Sequence, residues 1–560
     1  MSASPAHAVR QWFSALPAIA TSGAFSAIGP RTVAGLITDF RKFGPTPALL
    51  IALSARRFPD RVAVIDDRGA LTYSQLQQRA TAVAAALFAS CPQPPASVGI
   101  ICRNHRGFVE AMTAGAQLGA ELIFINTELP PAQLEAILHR HRPDVLIYDD
   151  EYAQAVDDAG YAGRRVLAWR AEPTADTDEL TLDGLAAQRN PAPPRVRRPV
   201  KLTLLTSGTT GLAKGVPRAV KPRAIAMLCA TAMATLRLKS SEVVLVAPPF
   251  FHGFGLLTLL GPLALGGTAV CRRRFDARQT LSDIEAFDVD VLIAVPAMLQ
   301  RMVNVPELDS LAARRPLRLA VTGAAPISPA AVSAFIDAFG PILVNGYGST
   351  EAGLVTLATP ADLASAPDTV GRTALGVSVR ILTDDGRAVP PGQPGSIFVR
   401  TVLDYTGYTP DQNAQVAAKQ VIDGHVKTGD VGYFDDQGRL YIAGRADDMI
   451  VSGGENVFPG EVESRLAAHP QLADAVVIGT PDEEFGQVLR AFIVAAPGAE
   501  APAPDELKQY VRDRLERYKV PKQFVVIDEI PRNASGKVLR SQLDSLAQPR
   551  LSDIEEQHLA

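Results

Sequence analysis

Between residues 60 and 350, short β-branched runs alternate with stretches of helical periodicity. VAVIDD (62–67), SVGIICRN (97–104), ELIFINT (121–127), VLIYDD (145–150), VVLVAP (243–248), VLIAVP (291–296) and RLAVTG (318–323) read as buried strands. Between the first two, SQLQQRATAVAAALFAS predicts a helix capped by Ser74, with Leu76, Val83 and Leu87 on one face. Such alternation implies an α/β fold of parallel sheets covered by helices. Residues 188–199, QRNPAPPRVRRP, read as a Pro/Arg-rich loop within the same domain, because the strand pattern resumes at once.

After residue 370 the pattern changes. DDGRAVPPGQPG and FDDQGRLYIAG set turn signals between short strands, which predicts a small antiparallel or barrel-like β subdomain over 370–446. Beyond Arg445 the order is helix (EVESRLAAH), strand (AVVIGT), strand (AFIVAA), helix (DELKQYVRDRLERY) and strand (FVVI). Leu507, Val511, Leu515 and Tyr518 share one face of that last helix. Three segments follow: an extension over 1–49, a large helix-covered sheet domain over 50–446 that includes the β subdomain, and a small α+β C-terminal domain over 447–560.

Bulk properties narrow the field. A chain of 560 residues is too long for one core. A net charge of −4 gives no electrostatic reason to expect nucleic acid. Cys91, Cys102, Cys229 and Cys271 show no metal-ligand spacing and fit a reducing, cytoplasmic setting. No uninterrupted apolar run reaches the roughly 18 residues of a spanning helix. WFSALPAIATSGAFSAIG is too broken by Ser, Thr, Pro and Gly for a good signal sequence. Its Trp12, Phe13, Leu16, Ile19 and Phe25 need apolar cover, from packing, from a homodimer partner, or from peripheral contact with the inner face of a membrane.

Several segments carry chemistry. TSGTTGLAKG (206–215) follows an apolar run, so its hydroxyl-glycine turns and Lys214 suit either a phosphate cradle or a plain surface loop. It lacks the Ser or Thr that follows the lysine in the common nucleotide loop. NGYGSTEAG (345–353) offers a Tyr347 ring face, the Thr350 hydroxyl and the Glu351 carboxylate; a helix-capping turn is the plain alternative. TGAAPIS (322–328) lies at another strand end, and the three loops are expected along one edge of a sheet. KTGDVGYF (427–434) puts Asp430 where a carboxylate can accept from a sugar diol or form an Asx-turn. GRADDMIVSGGENVFPGEVE (444–463) and PRNASGKVLR (531–540) complete the set; alone, Lys537 reads as a solvated lysine.

In order and spacing, these segments together resemble the adenylate-forming superfamily of acyl-CoA synthetases, luciferases and peptide-synthetase adenylation domains, over about residues 50–545. The resemblance implies a mobile C-terminal domain, ATP and CoA as cosubstrates with Mg²⁺, and a carboxylic acid activated as its adenylate. It assigns Thr206, Ser207, Gly208, Thr209, Thr210, Gly211 and Lys214 to the β- and γ-phosphates. Gly323, Ala324, Ala325 and Pro326, with Gly346, Tyr347, Gly348 and Ser349, frame the adenosine. Thr350 touches the α-phosphate, Glu351 holds Mg²⁺, Asp430 holds the ribose with Arg445 beside it, and Lys537 serves adenylation. Asp447 matches the hinge, and Ser452, Gly453 and Gly454 the thiol channel.

The resemblance builds the acyl pocket from His252, Phe254, Gly323, Ala352, Gly353, Leu354 and Val355, lined also by Ala324 and Ala325. No acid lies in PPFFHGFGLL to meet an amino-acid ammonium, and 433–454 has no room for the insertion of CoA-independent fatty-acyl-AMP ligases. CoA ligation of a medium- or long-chain fatty acid is therefore expected. An aryl acid, or transfer to another acceptor, is the alternative. Val451 stands where many members carry Lys, which bears on the thioester-forming wall.

Overall fold

The computed structural model describes residues 17, 20–23, 26, 29–91, 93–171, 179–193, 200–206, 214–219, 222–306, 308, 317–349, 352–383, 385–401, 420–452, 455–483, 485–533 and 536–546. Its architecture is α/β, built on three sheets. The first has six strands in the order Arg164–Trp169, Val145–Asp149, Ser97–Ile101, Glu121–Phe124, Lys201–Thr206 and Lys214–Ala219. The first five are parallel; the sixth closes an antiparallel hairpin in which Thr206 pairs with Lys214. TSGTTGLAKG therefore spans a hairpin, and 207–213 lie outside the described residues.

Helix Tyr73–Ser90 buries Leu76, Val83 and Leu87 completely, as the apolar spacing predicts. Its cap is Thr72, not Ser74. The Thr72 hydroxyl accepts from the Gln75 amide while the Gln75 side chain accepts from the Thr72 amide, which satisfies two end donors at once. Ser74, already inside the first turn, cannot make that reciprocal pair.

The second sheet has a parallel half made of Leu343–Ser349, Leu319–Gly323, Val291–Ile293, Val243–Val246, Thr268–Val270 and Val62–Asp66, edged by Gly69–Thr72. From Leu343–Ser349 the ladder continues antiparallel through Gly353–Ala358, Thr369–Thr373, Leu440–Arg445, His425–Phe434, Gly395–Arg400 and Ser378–Leu382. The small β region is thus hydrogen-bonded to the parallel core rather than set apart from it. It is also strongly curled. Leu343–Ser349 and His425–Phe434 are separated by three strands, or ~19 Å if the sheet were flat. Yet the Tyr347 hydroxyl reaches the Asp430 carboxylate at 2.5 Å.

The third sheet, in the C-terminal part, contains Glu455–Val457, Ile450–Ser452, Gly486–Ala495, Leu472–Asp482 and Gln523–Val526. Helices Pro459–Ala467 and Pro504–Arg512 bury Val462, Leu466, Leu507 and Val511 on one face; Ile530 and Leu543 cover Val476, Ile478 and Phe492 on the other. The helix expected through Tyr518 ends at Arg512. A 3₁₀ turn, Arg517–Lys519, follows and seats the Lys519 ammonium between Glu461 and Glu516, at 2.5 and 2.9 Å. Leu515 still packs against the core, but Tyr518 is turned outward. No helix among the described residues is long and apolar enough to cross a membrane.

Candidate active site

The site grows from two parallel strands that end side by side. Gly323 pairs with Gly346 in the ladder, and a Cβ on Gly323 would lie 2.6 Å from the Gly346 carbonyl oxygen. Only glycine allows that approach. The Phe254 ring stands 3.6 Å from the same point, so the gap between strand end and ring is filled. Ala324 then takes φ +69°, a left-handed conformation that costs a non-glycine residue on the order of 1 kcal/mol and is held by its surroundings.

Tyr347 follows Gly346 and donates its phenol to Asp430 Oδ2 at 2.5 Å. Burial, with the Asp430 charge, pushes the phenol pKa well above its ordinary value, so Tyr347 remains a donor. Asp430 lies opposite Arg445 in its ladder; Arg445 Nη1 is 3.7 Å from Oδ1, and Nη2 is 3.4 Å from Asp447. The Asp430 amide donates to Thr428 Oγ1 at 3.0 Å, which orients the carboxylate. Arg445 thus connects the carboxylate to the turn Ala446–Asp448 that leads into the C-terminal sheet.

The next segment turns sharply. A Cβ on Gly348 would meet the Gly353 carbonyl at 2.1 Å, Gly353 has φ +72°, and Ser349 Oγ accepts from the Ala352 amide at 3.1 Å. Thr350 and Glu351 lie outside the described residues. Beyond them Val355 is fully buried, with Tyr347, Ala352 and Leu354 packed against its cluster.

Across the cleft, His252 caps helix Gly253–Leu265. Its Nδ1 accepts from the Phe254 amide at 3.3 Å, which leaves the proton of the neutral ring on Nε2. Burial, the larger cause, and the ammonium of Lys537 together push the imidazole pKa down to about 4. A Cβ on Gly253 would lie 3.6 Å from Leu204, which brings the six-stranded sheet and its hairpin to this wall. The three Gly/hydroxyl loops therefore do not share one sheet edge. Residues 323 and 346 belong to the larger sheet, whereas Thr206 and Lys214 belong to the smaller.

The lysine arrives from the C-terminal part on a tight turn. The Asn533 amide donates to the Lys537 carbonyl, the Lys537 amide to Asn533 Oδ1 (both 2.9 Å), and the Gly536 amide to the Asn533 carbonyl at 2.8 Å. Gly536, buried with φ +79°, would carry a Cβ 3.4 Å from Val295 and 3.8 Å from Ala325. The turn is therefore docked on the loop that follows Gly323. Beside it a cavity of about 330 Å³ opens between the two parts of the chain, lined by Arg103, Asn104, Phe251, Arg273, Arg532 and Asn533 among others. Its arginines are held by carboxylates: Arg103 by Glu128 and Glu151, Arg273 by Glu151, Arg532 by Asp474.

A family model for AMP-binding enzymes matches residues 51–409, and one for the C-terminal domain of those enzymes matches 461–537. The chain belongs to the AMP-binding, adenylate-forming enzymes. A fatty acid–[acyl-carrier-protein] ligase of Streptomyces coeruleorubidus is 31% identical over 510 residues, covering 87% of this chain and 94% of its own. A feruloyl-CoA synthase of Amycolatopsis is 34% identical over 494 residues, covering 87% and 96%. Among solved structures, the o-succinylbenzoate CoA synthetase of Bacillus subtilis with its acyl-adenylate has a TM-score of 0.75 at 27% identity, covering 90% of this chain and 98% of that one.

In this adenylate-forming enzyme, contacts join Gly323 to Gly346 and Phe254, Gly346 to Leu354, Phe254 to His252, and Tyr347 through Asp430 to Arg445, and the Lys537 turn reaches this group at Ala325. Ser452 and Val451 lie elsewhere. Their hydrogen bonds among the described residues run within the C-terminal sheet, to Glu455, Gly486 and Gln487, and Gly453 and Gly454 lie outside the description. Sequence reasoning missed the interdomain cavity. Its signal was the Arg-rich runs RNHR (103–106) and RRR (272–274), which carry no fixed spacing and gain meaning only when the fold brings them together.

Proposed function

We propose that this enzyme activates a carboxylic acid with ATP and transfers the acyl group to the thiol of CoA. In the first step a carboxylate oxygen attacks the α-phosphorus, the bond to the β-phosphate oxygen breaks, and pyrophosphate leaves. The observation that carries this reading is the docking of the Lys537 turn on Val295 and Ala325, close enough for its charge to bear on His252. An ammonium so placed offsets the negative charge that builds between acid and phosphate. Tyr347 and Asp430 hold the adenosine: ring face against base, carboxylate toward ribose. Both Asp430 oxygens already face donors, Tyr347 and Arg445, so a metal ion fits Glu351 better. When bound, Mg²⁺ would draw charge from the departing phosphates.

The neutral His252 presents Nε2–H as a donor without adding a second positive charge beside Lys537. For the second step the chain rotates at Asp447, Lys537 withdraws, and Ser452–Gly454 form the wall along which the thiol reaches the acyl carbonyl. The carbon–sulfur bond forms as the bond to AMP breaks. Phe254, Leu354, Ala324 and Ala325 line the acyl side with apolar surface, which supports a medium- or long-chain fatty acid; Val355, fully buried in the core of the β region, stands behind that wall. The feruloyl-CoA synthase likeness favours an aryl acid as the second reading, and the fatty acid–carrier-protein ligase favours a carrier-bound thiol as a second acceptor.

The test is pyrophosphate release over a panel of aliphatic and aryl acids, with and without CoA, for the wild type and Lys537→Ala. Adenylation is expected to fall by roughly 100-fold or more in the variant, while thioester formation from supplied acyl-adenylate persists. Absence of acid-dependent pyrophosphate would refute the ligase reading. Pyrophosphate without a CoA thioester would refute the acceptor.

A further inference from the structure

Helix Pro30–Phe43, PRTVAGLITDFRKF, stands outside the chemistry described above. Val33, Ile37 and Phe40 are 44, 52 and 51% exposed. Spaced four and three apart, they form one stripe along the helix. Among the described residues no other helix or strand carries more than one large exposed apolar side chain. The opposite face is anchored. Asp39, almost fully buried, receives two hydrogen bonds from Arg56 at 2.9 and 3.0 Å, and the Arg56 guanidinium lies where a Cβ on Gly35 would stand. Gly35 is what lets the arginine lie flat on the helix.

That anchoring sorts the charges. Asp39 is the sole carboxylate of the helix, and it is turned inward and neutralised. Among the described side chains the exposed charges are Arg41 and Lys42 in the last turn. The outward face is therefore apolar along its length, cationic at one end and free of acid, in a chain whose net charge is −4. We propose that this face is a docking surface for an anionic phospholipid bilayer, with Val33, Ile37 and Phe40 at the acyl boundary and Arg41 and Lys42 on the headgroups.

A second copy of the chain fits less well. Two such faces bring no carboxylate to Arg41 or Lys42, and three side chains fall far short of the roughly 800 Å² per partner of a stable interface. The placement suits a lipid surface. Helix Pro47–Arg57 lies between this helix and Gly253–Leu265, to which it is bonded from Ser54 Oγ to the Leu263 carbonyl at 2.7 Å. The helix that begins at His252 is thus one element away from the docking face.

The test uses the full chain and flotation with vesicles of phosphatidylcholine alone or with one quarter phosphatidylglycerol. The wild type is expected to bind the mixed vesicles, weaken with salt, and bind the neutral ones at least about tenfold less. Val33→Ser/Ile37→Ser/Phe40→Ser and, separately, Arg41→Glu/Lys42→Glu should each lose about tenfold or more with unchanged thermal unfolding. Should the triple variant misfold, Ile37→Ser with the charge variant carries the comparison. A wild type that stays off the mixed vesicles, or variants that bind as it does, overturn the proposal. So does a dimer in light scattering that the triple variant dissociates, which makes the face a self-interface. Binding that appears only after deletion of residues 1–28 overturns it as well, since the chain then covers its own stripe.

Discussion

The pKa of His252 reports both the burial of the ring and, through the smaller effect of its charge, whether the Lys537 turn is docked in solution. An imidazole normally titrates near 6.5, and here burial, aided by Lys537, brings it to about 4. At pH 7 the protonated ring then falls from roughly one molecule in four to about one in a thousand. The gap corresponds to roughly 3 kcal/mol against the charged form in the folded protein. Because the folded value lies below the unfolded one, this stability is fully present above pH 6.5 and is lost as pH falls from 6.5 toward 4. The assay is NMR of protein labelled at histidine ¹³Cε1, with His252→Gln assigning one peak among the 8 histidines. His252 is expected to titrate near 4 in the wild type. Lys537→Met should raise that value but leave it below 6.5, since burial is the larger cause. A wild-type midpoint near 6.5 would refute the burial of the ring. A Lys537→Met titration identical to the wild type would refute the approach of the lysine.

Other expectations follow from single contacts. Tyr347→Phe removes a donor from the Asp430 carboxylate, a bond worth about 1.5–3 kcal/mol to a charged group, and should raise the ATP KM by roughly 10- to 100-fold in pyrophosphate exchange. Gly323→Ala drives a methyl into the Gly346 carbonyl; adenylate yield should drop at saturating ATP while circular dichroism stays unchanged. Leu87→Ala empties a fully buried position between helices and should cost about 2–5 kcal/mol in urea unfolding of the large domain.

The parallel strands were legible because VLIY (145–148) and VLIAV (291–295) are unbroken runs of apolar and aromatic residues, as suits a short strand covered on both faces. The cap of helix Tyr73–Ser90 was misplaced because Thr72 and Ser74 are chemically alike, and only the reciprocal bond with Gln75 separates them. Which sheet owns TSGTTGLAKG could not be read, since strand order in a sheet is not sequence order. Tyr518 was assigned to a helical face by spacing alone, and the claim of Glu461 and Glu516 on Lys519 overrode that spacing. Lys537 looked like any solvated lysine. The resemblance gave it an adenylation role, and Gly536, whose missing side chain admits the turn to Val295, shows how the fold delivers it.

The bond from Tyr347 to Asp430 joins strands that the ladder keeps three strands apart, so it acts as a clasp on the curled half of the sheet. The clasp lies inside the nucleotide site proposed above. Occupancy of that site and tightness of the roll are then one equilibrium seen from two ends: a bound adenosine shields the clasp from water, and a closed roll presents it ready-made. Amide exchange should record this far from any ligand atom. Added AMP should slow exchange in Gly395–Arg400, at the outer turn of the roll, as well as around Tyr347.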